Sequence, residues 1–184
     1  MKNLTLENIA KACGGIYVGG EEMKDREVQG IVTDSRKAEP GFLFVPIKGA
    51  RVDAHDFIDS VMANGALCTL TEKDIGKKSF PYIKVHSSLQ AVKDIAEFYL
   101  KQLDIPVVGI TGSVGKTSTK EMIAAVLEQK YKVLKTKGNF NNELGVPLTV
   151  SACARSMRLQ SWKWESATSE KCTAWLKSRG RIPV

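Results

Sequence analysis

The run Ile105-Pro-Val-Val-Gly-Ile leads directly into Thr111-Gly-Ser-Val-Gly-Lys-Thr117. An apolar, β-branched segment of that length reads as a strand buried in a parallel sheet. The glycines that follow call for a tight turn, and a helix then extends through about Lys130. Its apolar residues Met122, Ile123, Val126 and Leu127 are expected to form the buried side. Tyr131-Lys-Val-Leu134 supplies the next strand. Strand, glycine loop, helix and strand together open a parallel α/β sheet with a nucleotide site at the loop. The order of elements excludes an all-helical or all-β fold.

The residue types in the loop suit a phosphate. Gly112, Ser113, Val114 and Gly115 can turn their N–H groups inward, and the helix behind them favours negative charge. Lys116 can reach the outer phosphates, which makes it the candidate catalytic residue. Thr117 can ligate Mg²⁺, and Ser118 follows it in the nucleotide-binding set. The strict pattern G-x-x-x-x-G-K-[ST] is not met, because its first glycine falls on Ile110 while Gly109 stands one residue too early. The competing reading is a glycine turn that happens to carry an exposed lysine. With a strand before it and a helix after it, the loop is read as a site for ATP or GTP with magnesium. Lys120 and Glu121 read as a solvated pair on the same helix.

Residues 1–103 read as a separate small α/β module. Thr5 caps a short helix with Leu6, Ile9, Ala10 and Cys13 on one face, stopped at Gly14-Gly15. Strand-like runs follow at Ile16–Val18, Val28–Thr33 and Phe42–Ile47. A helix over Asp56–Asn64 leads to strands at Ala66–Leu70 and Tyr82–Val85. Ser87 or Ser88 then opens a longer helix bearing Leu89, Val92, Ala96, Tyr99 and Leu103. The fold expected overall is this module (1–103) followed by the start of a phosphate-loop, parallel-sheet domain (104–150).

Residues 151–184 differ in composition. They hold all three tryptophans, four of the seven arginines, and seven basic against two acidic residues. Residues 1–150 hold twenty basic against eighteen acidic, so most of the chain's net charge of +7 lies in the last 34 residues. No aromatic residues interleave with a basic stripe in the main body, which argues against nucleic-acid binding. The tail shows neither helical nor strand periodicity and reads as lying outside the fold. No apolar stretch reaches 18 residues, so membrane insertion is not expected. The first residues lack the apolar core of a signal peptide. Four cysteines without C-x-x-C spacing argue against disulfides and zinc. A cytoplasmic location is expected.

Five ordered segments make residues 1–150 resemble the Mur ligases, the ATP-dependent amide-forming enzymes of peptidoglycan synthesis. They are Thr33–Arg36, Gly41–Gly49, Asp53–Phe57, Gly109–Met122 and Lys135–Thr149. Lys-Glu-Met after the loop and Gly-Asn-Phe-Asn-Asn before Pro-Leu-Thr are most similar to the branch that adds D-alanyl-D-alanine to UDP-N-acetylmuramoyl-tripeptide. The branch that adds the third peptide residue is the alternative, and a UDP-muropeptide binder without catalysis is another. The resemblance implies that the first module holds the UDP end of the substrate through Ser35, Arg36, Lys48, Gly49 and His55. On the residues alone, Asp34 and Arg36 can instead form a turn salt bridge, and His55 can be a structural cap. Phe42, Phe44 and Phe57 read as core. Asn139 and Asn142 follow the second strand of the nucleotide unit, where they can meet the nucleotide or simply build a turn. The implied cofactors are ATP and Mg²⁺, the implied substrates UDP-N-acetylmuramoyl-tripeptide and D-alanyl-D-alanine, and the implied state a monomer. In the implied reaction ATP phosphorylates the tripeptide carboxylate and the dipeptide amine attacks the acyl phosphate.

The resemblance stops at Val150, before a Glu-Met-Gly landmark whose Glu helps hold magnesium in the family. The genetic code suggests why. With the tail read one base back, Trp162 into Lys163 becomes Glu, Lys163 into Trp164 becomes Met or Val, and Trp164 into Glu165 becomes Gly. Residues 151–184 are therefore expected to be a frameshift product, and the chain a truncated copy with little ligase activity of its own.

Overall fold

The computed structural model describes residues 1–49, 52–103, 107–110, 112–136, 144–151 and 159–163. The chain divides into two compact units, Met1–Tyr99 and Leu100–Val184.

In the first unit, α1 (Leu6–Ala12) begins where the Thr5 hydroxyl accepts the Asn8 amide at 3.2 Å, and Leu6, Ile9 and Ala10 are its buried side. It ends at Gly14, whose φ of +60° a residue with a side chain seldom adopts. Strands β1 (Ile16–Val18), β2 (Gly30–Val32), β3 (Phe42–Phe44), β4 (Cys68–Thr71) and β5 (Tyr82–Lys84) form one sheet in the order β1-β5-β4-β3-β2. The pairs β2–β3, β3–β4 and β4–β5 are parallel, and β1 lies antiparallel on the β5 edge. Helix α2 (Ile58–Ala63) connects β3 to β4, and α3 (Ser88–Leu103) follows β5. The four residues of β4 are all buried, as the continuous run around Leu67–Leu70 requires of a central strand. Val32, Phe44, Ile58, Val61 and Ala66 form one core cluster between sheet and helix. Phe42 packs against that cluster, but Phe57 is largely exposed and is not a core residue as expected.

In the second unit, β6 (Val107–Ile110), α4 (Lys116–Glu128), β7 (Val133–Lys135), α5 (Gly145–Ser151) and β8 (Leu159–Lys163) follow in order. The sheet order is β6-β8-β7, with both pairs parallel. Two expectations are corrected here. Residues 159–163 do belong to the fold, because they supply the central strand. The buried stripe of α4 is Lys120 and Ala124, with Ile123 and Leu127 partly covered, whereas Met122 and Val126 are 70% and 72% exposed. Residues 120, 123, 124 and 127 share one helical face, and 122 and 126 lie on another. Of the four apolar residues expected to be buried, Ile123 and Leu127 lie on the covered face and Met122 and Val126 do not.

Candidate functional site

The phosphate loop lies between β6 and α4. Gly112 and Gly115 take φ of +144° and +79°, conformations that L side chains rarely adopt. A methyl built on Gly115 meets nothing within 4 Å, so the backbone angle, not crowding, demands glycine there. Gly115 is also the N-cap of α4 and offers no side-chain cap. The first-turn N–H groups of Lys116, Thr117 and Ser118 have no carbonyl one turn back within the helix. This amino end combines donors with the positive end of the helix dipole, the arrangement that suits a phosphate. Lys116 folds back over the loop, and its ammonium donates to the carbonyls of Gly112 at 2.5 Å and Ser113 at 3.5 Å. Val114 and Ser113 are exposed at the turn.

These residues fit the phosphates of a nucleoside triphosphate. For magnesium, the Thr117 hydroxyl in the first turn is the donor at hand, and no cluster of three or more His, Cys, Asp or Glu side chains exists among the described residues. A hard cation held by one hydroxyl would take its remaining oxygens from phosphates and water. Asn139 and Asn142 lie outside the described residues, as does Thr111.

The pair read as solvated, Lys120 and Glu121, is not. Lys120 has no exposed surface, and its ammonium donates to the Thr136 carbonyl at 2.6 Å and pairs with Glu121 at 3.0 Å. Glu121 is half exposed and also pairs with Lys135 at 3.0 Å. The neighbouring Lys135 and Lys120 hold the Glu121 carboxyl below its ordinary range.

In the first unit, the candidate residues gather beyond the carboxyl ends of the parallel strands β2 and β3, the edge where α/β sheets bind ligands. Two turns there share one design. Asp34 and Asp53 each precede a short 3-10 turn with nearly equal backbone angles (φ −94° and −91°, ψ 114° in both). Each carboxylate accepts the backbone N–H two residues on and also grips that residue's basic side chain. At Asp34 the grip is bidentate, with Arg36 Nε donating at 2.9 Å and Nη2 at 2.8 Å. These bonds hold the Asp34 carboxyl down at about 2. The salt bridge left open by the sequence is thus present, while the rest of the Arg36 side chain is exposed and Ser35 sits beside it.

At Asp53, the His55 amide donates at 3.0 Å and its Nδ1 lies 2.6 Å away. The amide and then the ring hold the Asp53 carboxyl below its usual range. With Nδ1 donating its proton in a hydrogen bond to Asp53, Nε2 is free to accept the Glu72 N–H at a long 3.4 Å. The ring is 7% exposed. Both its nitrogens serve the fold, so the capping alternative describes His55. Lys48 and Gly49 lie on the same loop, which closes through a bridge from Lys48 to Asp53 and a bond from the Gly49 amide to the Val52 carbonyl. Lys48 and Gly49 are exposed.

Sequence reasoning missed three participants here. Asp53 organises the loop, Lys73 reaches Asp53 at 3.7 Å, and the Glu72 carboxylate accepts the Ser88 amide at the start of α3. The spacing Asp-x-His was a readable turn signal. The other two contacts join positions remote in the chain.

Comparison with known proteins fits this geometry. The model of the Mur ligase family catalytic domain matches residues 27–131, and that of the Mur ligase middle domain matches residues 110–160. The second match runs past Val150 into the tail, so the resemblance extends further than the sequence reading placed it. A UDP-N-acetylmuramoyl-tripeptide–D-alanyl-D-alanine ligase of Bacillus subtilis is 40% identical over 150 residues, covering 80% of this chain and 33% of that protein. The enzyme of the same name from Escherichia coli is 39% identical, covering 82% and 32%. A crystal structure of MurF from Acinetobacter baumannii superposes with a TM-score of 0.79 at 31% identity, over 88% of this chain and 35% of that one. A MurF ligase from Thermotoga maritima in complex with ADP gives 0.69 at 35% identity, over 77% and 33%. The chain spans about a third of the length of the curated relatives it matches. No helix among the described residues is long and apolar enough to cross a membrane.

Proposed function

The chain belongs to the Mur ligase family, and on that premise we propose that it supplies the UDP-substrate module and the ATP phosphate loop of a ligase that joins D-alanyl-D-alanine to UDP-N-acetylmuramoyl-tripeptide. The observation that carries the nucleotide half is the amino end of α4, uncapped by any side chain, with Gly115 at a positive φ and Lys116 poised over the loop. The relatives' names support the choice of substrates.

In this reading the N–H groups of residues 113–118 hold the β- and γ-phosphates through the helix end. Lys116 leaves the Gly112 and Ser113 carbonyls and places its charge on the outer phosphate. Thr117 offers its hydroxyl to magnesium, whose contribution when bound is to neutralise phosphate charge during transfer. Asn139 and Asn142 are proposed to complete the nucleotide side.

The first unit takes the UDP end at its carboxyl edge. Arg36, held in orientation by Asp34, presents its exposed face to the diphosphate beside Ser35. Lys48 and Gly49 approach from the neighbouring loop, and His55 acts by holding that loop through Asp53 and Glu72. No covalent nucleophile is needed. Cys13 and Cys68 are free thiols, and burial pushes both away from the reactive thiolate.

Thermal melts of the chain with each ligand test the proposal. UDP-N-acetylmuramoyl-tripeptide and Mg·ATP are each expected to raise Tm, with the ATP effect lost in Lys116→Met. If neither ligand moves Tm, the proposal is wrong. Phosphate release that depends on D-alanyl-D-alanine would make the chain itself a ligase, and stabilisation without release would limit it to binding.

A further inference from the structure

Lys120 stands one helical turn beyond Lys116 and faces the opposite task. Where Lys116 is partly covered over the loop, Lys120 is fully enclosed against β7. Its ammonium donates to the main-chain carbonyl of Thr136, the residue that leaves β7 at the carboxyl edge of the sheet. Because β6 and β7 both run parallel to β8, this is the same edge from which β6 feeds the phosphate loop. Glu121 joins the two sides a second time, pairing with Lys120 and Lys135, and Lys135 reaches Glu128 at 3.3 Å.

A buried ammonium is an expensive way to fill space. Replacing a whole buried ion pair by apolar side chains of similar volume commonly serves stability as well or better, so such groups call for another reason. What the lysine adds is a fixed distance between a point on α4 and a main-chain atom of β7. The Thr136 hydroxyl is buried with no partner among the described residues, so the lysine reads the backbone and not that side chain.

We propose that Lys120 is a positioning residue for nucleotide binding, tying the helix that carries Lys116 and Thr117 to the exit of β7 and so setting where the amino end of α4 stands. The inference rests on the ATP reading above. It separates the lysine's contribution to stability from its contribution to phosphate binding.

The test uses the 184-residue chain and Lys120→Met, with Mg·ATP and UDP-N-acetylmuramoyl-tripeptide titrated by calorimetry. The variant leaves the Thr136 carbonyl without its buried donor and is expected to melt lower, yet in the cold it should stay folded and bind the UDP substrate unchanged. Its Kd for Mg·ATP should rise about tenfold or more, the equivalent of losing one hydrogen bond to a charged phosphate. Equal ATP affinity in wild type and variant overturns this inference and leaves the ATP reading intact. Absence of ATP binding by wild type overturns both. Hydrogen exchange on the wild type gives an independent check should the variant not fold. Mg·ATP should raise protection in residues 131–136 together with 112–120, and protection confined to 112–120 overturns the proposal.

Discussion

Replacing His55 with alanine separates a ligand from a strut. The imidazole is 7% exposed, and its nitrogens engage Asp53 at 2.6 Å and the Glu72 amide at 3.4 Å. Alanine keeps the residue-55 amide that Asp53 also accepts, so the turn loses the ring alone. Losing a buried ring, with the space it leaves and its hydrogen bonds, should cost about 2–3 kcal/mol. In a unit of this size each kcal/mol moves Tm by about 4–8 °C, so a fall of roughly 10–20 °C is expected. Differential scanning fluorimetry reads the change. Calorimetry in the cold, where the variant remains folded, then reads the Kd for UDP-N-acetylmuramoyl-tripeptide, which should rise by less than about tenfold. A variant with the Tm of wild type and no substrate binding would refute the reasoning, because the ring would then be a ligand with no structural duty.

Four further outcomes are expected. Gly115→Ala introduces no clash but places a side chain at φ +79°, which should destabilise by about 1–2 kcal/mol in urea titration and weaken Mg·ATP binding; an unchanged midpoint would contradict the loop geometry. Lys116→Met removes a partly covered side chain whose bonds go only to loop carbonyls, and should leave stability within about 1 kcal/mol while ATP binding falls at least tenfold. The Asp34 carboxyl, held at about 2 against an ordinary 3.8, makes a stabilising contribution that is complete above pH about 4 and fades as pH falls through 2. Carbon-detected NMR titration should show that low midpoint in wild type and a return toward 3.8 in Arg36→Gln; no return would mean that Arg36 is not its cause. We also propose that sequencing the gene through codons 151–184 will find a one-base shift that restores Glu-(Met or Val)-Gly from the codons of Trp162–Glu165, with the Glu codon starting in that of Trp162 within β8. A message that encodes the tail as written, with no such frame, ends that idea.

The legible parts of this fold were those set by local rules. Thr5, Gly14 and the apolar spacing between them announced α1, and the β-branched or aromatic apolar runs at 16–18, 42–44 and 107–110 announced strands. Gly112 and Gly115 announced a turn because only one residue type tolerates their angles. The stripe of α4 was not legible, because its centre is a lysine. A charged residue on a buried face breaks the apolar period by which such faces are found, and only the Thr136 carbonyl 16 residues away explains it. The strand at 159–163 was hidden for a related reason. Its mixed polar and aromatic sequence has no alternation, and its conformation comes from pairing with β6 and β7 on either side. At the first unit's edge the turns were readable from Asp-x-Arg and Asp-x-His. The use of each basic side chain by its own turn needed the geometry.

The strand order β6-β8-β7 has a consequence for the timing of synthesis. The two strands that flank the middle of the sheet leave the ribosome first, and the strand that joins them comes last. Until Lys163 has emerged, β6 and β7 have no ladder between them, and each carries an open edge. The interval from Lys135 to Lys163 lasts on the order of one to six seconds at roughly 5–20 residues per second. The described strands of the first unit all precede Leu100 and have no such wait, so the nascent chain passes through a stage with the five-stranded sheet paired and the three-stranded sheet still in two pieces.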